Sequence, residues 1–457
     1  MNESNHPISS SESGVSRRSF LKHSSLAAAA ATAVARFPFV VTTHAAADDP
    51  IRVGVIGCGG RGTGAVLNVL GADTKVIYPD AGYHTEDVAA GAEQKNKHVQ
   101  VVALADVFPD RLKMCRDQLK NLKDPIVVPE DACFTGFDAY KQLLAVPEVN
   151  YVILAEPPHF RPQHMMAAIQ AGKHVFAEKP AAVDGPGARL VIEAAELAKQ
   201  KGLGIAVGTQ RRHQRSYNET IKRLRDGMIG DIVEARAYWN GGAIWVIDRE
   251  SAWSDMEWQL RNWNYFTWLG GDHIVEQHVH NLDIINWVMG DHPVRAIALG
   301  GRQARGGKEH GHIYDHFAVE FEYANGVRMF SQCRQINGCD NKVEEVVVGT
   351  KGFSNCNNTI VVRGGQSYRF RERDVNAYEQ EHLDLINSIR AGQPLNEAKA
   401  FAESTLTGIM GRESAYSGRT IEWEQLIQSE TRLGPEKYEF GSLPFPDVPV
   451  PGKYRFA

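Results

Sequence analysis

Ile51-Arg52-Val53-Gly54-Val55-Ile56-Gly57-Cys58-Gly59-Gly60-Arg61-Gly62 is the stretch on which the reading of this chain turns. Its first six residues, rich in Val and Ile, suit a buried parallel strand, and residues 63–70 beyond the glycines are helix-capable. Between them lies Gly-x-Gly-x-x-Gly, in the strand, turn, helix setting that a dinucleotide loop requires. Gly57 permits the tight turn, Gly59 lets the backbone approach a pyrophosphate, and Gly62 allows helix and strand to pack closely. Gly60 and Arg61 complete the loop, and phosphate charge is held at the helix N-terminus. The motif alone is weak, since a glycine-rich surface turn after an edge strand looks similar. Its flanks decide for nucleotide binding.

The second strand of such a unit closes on an acidic residue that accepts ribose hydroxyls, and Val101-Val102-Ala103-Leu104-Ala105-Asp106 supplies Asp106. It arrives later than the usual spacing of about twenty residues. Residues 71–98 account for the delay: they hold Gly71, Pro79, Gly82 and many charges, and read as a polar insertion. A carboxylate at Asp106 repels a 2′-phosphate and so favours NAD over NADP, an effect that Arg111 partly offsets. The alternative role for Asp106 is an ordinary helix cap before Pro109.

Upstream, Ser16-Arg17-Arg18-Ser19-Phe20-Leu21-Lys22 closely matches a twin-arginine signal. A weakly apolar run at 26–34 and the cleavable Ala45-Ala46-Ala47 follow in order. Residues 1–47 are therefore set apart from the fold, and the expectation is a periplasmic or otherwise exported protein handled by the twin-arginine machinery. That route carries folded proteins, so a cofactor would leave the cytoplasm already bound.

Roughly 410 residues remain, enough for two domains at about 100 to 200 residues each. No other segment is long or apolar enough to span a bilayer. The formal net charge of −5, with no basic block, argues against nucleic acid as a partner. Cysteines 58, 115, 133, 333, 339 and 356 show neither a CxxC pair nor zinc spacing, and read as free thiols.

Strand and helix signals alternate as far as residue 207. Helices are expected at 109–122, 137–144, 161–171 and 185–201, and strands at 126–128, 151–155, 174–177 and 203–207. This is an α/β pattern with a doubly wound parallel sheet over 51–207, the nucleotide-binding Rossmann domain. Strands at 232–239, 294–300, 316–323, 328–334 and 343–348 then predict an α+β domain over 208–430 with a mostly antiparallel sheet. Helices at 375–389 and 397–416 cover it. The proline-bearing tail, 431–457, reads as an extended strap.

Ala177-Glu178-Lys179-Pro180 stands at a strand end of the first domain, where open α/β sheets bind ligands. With the glycine loop and the antiparallel second domain, it gives a chain that resembles the Gfo/Idh/MocA oxidoreductases over about residues 51–425. The resemblance implies an NAD(P)-dependent enzyme acting on CH–OH groups. It also places Glu178 and Lys179 at the cofactor, with Lys179 at the junction of nicotinamide and substrate. A cation there lowers the pKa of the reacting hydroxyl and stabilises a developing alkoxide.

Gly270-Gly271-Asp272-His273-Ile274-Val275-Glu276-Gln277-His278-Val279-His280-Asn281-Leu282-Asp283 reads as a helix capped by Asp272 and ended by Gly290. At 100° per residue, Glu276, His280, Asp283 and Trp287 share a narrow wedge and His278 faces the other way. The resemblance implies a catalytic histidine at His280, an acidic residue four positions earlier at Glu276, and a substrate-side aspartate at Asp283. Inositol-dehydrogenase-like members carry aspartate at the first place, so Glu276 departs from their pattern. His280 is the natural general base, with a buried structural histidine as the alternative. His273, Glu276, His278 and His280 can also be read as metal ligands, but helical angles scatter them and no metal is expected.

Gly208-Thr209-Gln210-Arg211-Arg212-His213 resembles the family's arginine-bearing turn, with Arg211 or Arg212 on substrate oxygens; a solvated basic face is an equal alternative. Six of the eight tryptophans, at 239, 245, 253, 258, 263 and 268, fall in residues 238–269 among polar residues. They suit a carbohydrate cleft, or else a large packed loop or subunit interface. The expectation is hydride transfer between a sugar, cyclitol or glycoside carbinol and a tightly held nicotinamide cofactor, in a homo-oligomer. His280 serves as base, Lys179 polarises the oxygen and Glu276 orients. The alternatives are an NAD-dependent redox glycosidase and a non-catalytic cofactor-binding sensor.

Overall fold

The structure is a computed structural model that describes residues 49–76 and 86–456. The twin-arginine segment lies outside the described residues. All described residues belong to one compact unit, 44–457.

The first sheet is parallel and six-stranded. β1 (Ile51–Ile56) leads through the glycine loop into the helix Gly60–Val69, and the insertion forms a small hairpin from β2 (Thr74–Val76) and β3 (Glu86–Val88). β4 (Val99–Asp106), β5 (Cys133–Thr135), β6 (Tyr151–Leu154), β7 (His174–Ala177) and β8 (Ile205–Val207) complete the order β5-β4-β1-β6-β7-β8. The order reverses between β1 and β6, and ligands of such sheets bind in that crevice. β1, β6 and β7 are buried almost throughout, as near-continuous runs of Val, Ile and Ala should be when helices cover both faces.

One expected strand is corrected. Residues 126–128 are coil, and Cys133–Thr135 takes the edge place beside β4, with Leu104 opposite Cys133. Pro125 and Pro129 bracket 126–128 and remove ladder donors, while the Val128 carbonyl oxygen accepts from Arg116 Nη2 at 3.0 Å.

The second sheet has nine strands. β9 (Ile232–Gly241), β10 (Pro293–Gly301), β11 (His316–Tyr323), β12 (Arg328–Gln335) and β13 (Lys342–Gly349) carry most of it. β14 (Gly352–Ser354), β15 (Thr359–Val362), β16 (Tyr368–Arg369) and β17 (Ile421–Glu422) extend its edges, in the order β16-β15-β14-β13-β9-β12-β11-β10-β17. All pairings are antiparallel except β9 with β12. Alternate residues of β11 and β12 are buried, as expected of a sheet with one covered face.

The helix Ala398–Ser417 joins the two layers. Thr405 Oγ1 accepts from Ala181 N at 3.0 Å, and the fully buried Arg412 donates from Nη1 to the carbonyl oxygens of Val183 and Gly271. Arg412 also pairs with Glu413, Nη2 to Oε1, at 2.6 Å. Arg412→Leu should therefore cost about 3–5 kcal/mol, because it strands a buried carboxylate. Chemical denaturation measures this, and a loss below about 1 kcal/mol would count against the assigned role. Past residue 430 the chain runs extended. Leu433 N donates to Asp184 Oδ2, Phe445 packs on Trp258 and Phe266, and Tyr454 donates to Glu413 Oε2.

Candidate active site

The glycine loop is fixed by steric contacts that only glycine tolerates. Gly57 has φ +93°, and a Cβ there would lie 2.4 Å from Glu156 N. A Cβ on Gly62 would lie 1.8 Å from the Gly57 carbonyl oxygen, whereas on Gly59 it would meet nothing nearer than Arg111 Nη1 at 4.0 Å. Two glycines thus close the packing between helix and strand, and the middle one leaves open space beside the helix N-terminus, where a pyrophosphate fits.

Gly57, Gly59, Gly60, Arg61 and Asp106 line a cleft of about 710 Å³. Asp106, at the end of β4, accepts from Cys58 N at 2.6 Å through Oδ2 and from Phe108 N at 2.8 Å through Oδ1. It clamps the loop to the strand end and still presents lone pairs to the cleft. Burial, partly opposed by Arg111, pushes its carboxyl above the ordinary value. Arg61 reaches across to Glu178, Nε to Oε1, at 2.8 Å, and stands over the ring of Tyr378.

Lys179 and His280 line the same cleft from opposite layers, the lysine just past β7 and the histidine on the helix Val279–Met289. Lys179 Nζ donates to the Glu276 carbonyl oxygen at 2.6 Å and pairs with its Oε1 at 2.5 Å. The longer side chain of Glu276 therefore orients the lysine. Glu276 Oε2 is buried and receives no hydrogen bond. His280 stacks on Trp239, ring centroids 5.8 Å apart, and its Nδ1 also has no hydrogen-bond partner. Burial first, then the charges of Lys179 and Arg211, hold His280 well below the ordinary imidazole pKa. The ring is thus neutral.

The helix expected over 272–290 is broken. His273–Glu276 and Val279–Met289 are separate helices. Asp272 sits at φ +71° and accepts from His273 N, Tyr314 N and Tyr416 Oη, while Gly290 ends the second helix in the left-handed conformation. His278 is buried against Ser331 Oγ at 2.7 Å. His273 packs against Phe317 and Glu276 turns to Lys179, so the alternative metal cluster does not assemble. Among the described residues, no group of three or more His, Cys, Asp or Glu is placed to hold a metal ion.

Three residues expected on the substrate side are held by partners inside the protein. Arg212 makes a two-pronged pair with Asp283, at 2.8 Å for each hydrogen bond, and Asp283 also accepts from Ser404. Arg211 pairs with Glu345, a carboxylate on β13 that Tyr217 and Asn281 also donate to. None of Arg211, Arg212 and Asp283 lines the cleft, because buried partners consume their charges. Arg211 also stands 5.8 Å over the ring of Trp239, which does line the cleft.

The tryptophans divide. Trp239, Trp245 and Trp263 line the cleft, whereas Trp258 and Trp268 are buried in the packing of residues 244–269 and donate to Ile247 O and Gln259 Oε1. Gln210 and Tyr378 also line the cleft and bond each other at 3.1 Å. Tyr378 is brought in by the helix Ala377–Arg390, 168 residues beyond Gln210. Nothing in its local sequence marks it. Gly208 has a legible reason, since a Cβ there would lie 2.5 Å from Glu178 Oε2.

Comparisons with known proteins agree with this geometry. Residues 51–209 match the model of an oxidoreductase family with an NAD-binding Rossmann fold, and residues 217–354 match the Gfo/Idh/MocA C-terminal domain. The chain is 27% identical over 307 residues to an inositol 2-dehydrogenase of Pseudomonas fluorescens, covering 64% of this chain and 80% of that protein. It is similar in fold to scyllo-inositol dehydrogenase from Lactobacillus casei with bound NAD(H) and scyllo-inositol (TM-score 0.59, 19% identity, 82% of this chain and 99% of that one). Aldose-aldose oxidoreductase from Caulobacter crescentus, complexed with glycerol, aligns with the same scores and coverage. The two matched halves, and the cleft built between their sheets, make this chain a member of the Gfo/Idh/MocA family of NAD-dependent oxidoreductases.

Proposed function

We propose that this protein oxidises a secondary hydroxyl of a cyclitol or sugar, with Lys179 and His280 flanking the reacting carbon. The single observation that carries the reading is the convergence of the half-buried Lys179 and a neutral imidazole in one cleft with the glycine loop. NAD, held by the loop and by Asp106, supplies the hydride acceptor. Lys179, oriented by Glu276, donates to the substrate oxygen and stabilises negative charge there. His280 accepts the hydroxyl proton as hydride leaves the same carbon. Trp239, Trp245 and Trp263 offer apolar faces to the C–H side of a ring, and inositol dehydrogenases among the relatives fit a polyhydroxylated substrate.

The test is reduction of NAD by the purified protein with myo-inositol, scyllo-inositol and aldoses. NADH formation is expected; cleavage of aryl glycosides without net NADH would replace this reading with the redox glycosidase. Because His280 must be neutral to act, the acid limb of kcat/KM for oxidation should fall below pH about 6.5, the unperturbed imidazole value. A pH profile with that limb above 6.5 would contradict the assignment of the base.

Export by the twin-arginine route belongs to the same proposal and is supported by Ser16-Arg17-Arg18-Ser19-Phe20-Leu21-Lys22. Arg17→Lys together with Arg18→Lys should retain the full-length protein inside the cell, which fractionation reads. Unchanged export would remove this part of the proposal.

A further inference from the structure

We propose that Glu156 accepts hydrogen bonds from the hydroxyls of the ribose on the nicotinamide side of the bound dinucleotide. Glu156 lies just past β6, and Asp106 ends β4. Since β4, β1 and β6 are neighbours in that order, the two carboxylates flank the glycine loop from opposite sides. A dinucleotide lying across the reversal of strand order leaves one ribose on each side. Asp106 serves the first; Lys179, past β7, marks the second side as the nicotinamide half.

Glu156 lines the cleft and is 7% exposed, and neither of its carboxyl oxygens receives a hydrogen bond. His164 Nδ1 is 3.3 Å from Oε1 but misaligned for a hydrogen bond, and its ring is stacked on Tyr140 at 4.0 Å. Pro157 restricts Glu156 to extended backbone, and the Glu156 carbonyl oxygen accepts from Arg161 Nη2. The carboxylate is thus held in place with its lone pairs unused, a costly state that donors from a ligand would relieve. An anion here repels phosphate, so the complementary donors are uncharged. Vicinal ribose hydroxyls on this half of the dinucleotide supply two, one for each oxygen.

The inference rests on NAD binding and needs no turnover, so its failure leaves the proposed substrate untouched. Dissociation constants of NADH, ADP-ribose and ADP are compared for the wild type and Glu156→Gln. NADH and ADP-ribose, which both carry the second ribose, should weaken about tenfold, with ADP unchanged. Three unchanged constants, or three weakened equally, overturn the proposal. A loss confined to NADH also overturns it, because it assigns Glu156 to the carboxamide. If Glu156→Gln does not fold, Glu156→Asp, which withdraws the oxygens by one methylene, is read against the same ligands and the same outcomes.

Discussion

His280→Ala is expected to lower kcat for polyol oxidation by roughly 10²–10⁴-fold while NADH binds with wild-type affinity. The imidazole stacks on Trp239 and touches the cleft, but it makes no contact that builds the nucleotide loop. Its neutral state is set by burial and by two cations, so alanine removes a proton acceptor that nothing nearby replaces. Glu276 also lines the cleft, and its Oε1 is already held by Lys179. Stopped-flow NAD reduction beside a fluorescence titration with NADH separates chemistry from binding. A wild-type kcat would remove His280 from the mechanism. Loss of NADH affinity would make it structural.

Gly62→Ala should act on the other half of the site, weakening NADH about 10- to 100-fold and lowering the melting temperature. A Cβ 1.8 Å from the Gly57 carbonyl oxygen forces the helix Gly60–Val69 off β1, and backbone cannot move aside as a side-chain tip can. Overpacking of this kind costs about 1–3 kcal/mol, and here the displaced element is the one whose N-terminus holds the phosphates. Gly59→Ala is the control. Its Cβ enters open space, so folding should be unaffected and only NADH binding weakened. If Gly62→Ala binds NADH as well as the wild type, the loop is not the nucleotide site.

These two predictions trace what could be read from the sequence. The glycine loop and the longer strands of both sheets, in the order in which they appear, follow from periodicity and punctuation, which are local; the short edge strands β5 and β14 to β17 do not. The strand expected at 126–128 failed because its apolar residues sit between prolines that remove ladder donors. The continuous helix expected over 272–290 starts at its Asp272 cap but is interrupted at Gln277 and His278, whose side chains bond Gln335 and Ser331 of β12, partners from a distant segment that no helical wheel contains. Resemblance to the family's pattern puts Arg211, Arg212 and Asp283 on the substrate side, with a solvated basic face as the equal alternative for the arginines. The structure pairs them internally, through Glu345 and Ser404 from other elements. Tyr378 enters the cleft from a late helix and Glu156 from the turn after β6, both by tertiary placement alone.

The central claim is that Lys179 and His280 act on one substrate carbon over one nicotinamide. Deuterium transfer tests it most directly. Polyols deuterated at the carbinol carbon are mixed with the NAD-loaded wild type, Lys179→Ala and His280→Ala, and label at nicotinamide C4 is followed by mass spectrometry. The prediction is one deuterium transferred as deuteride by the wild type, and transfer slowed at least about 100-fold in both variants with NAD still bound. Label that never reaches the nicotinamide, or wild-type transfer in either variant, would contradict it.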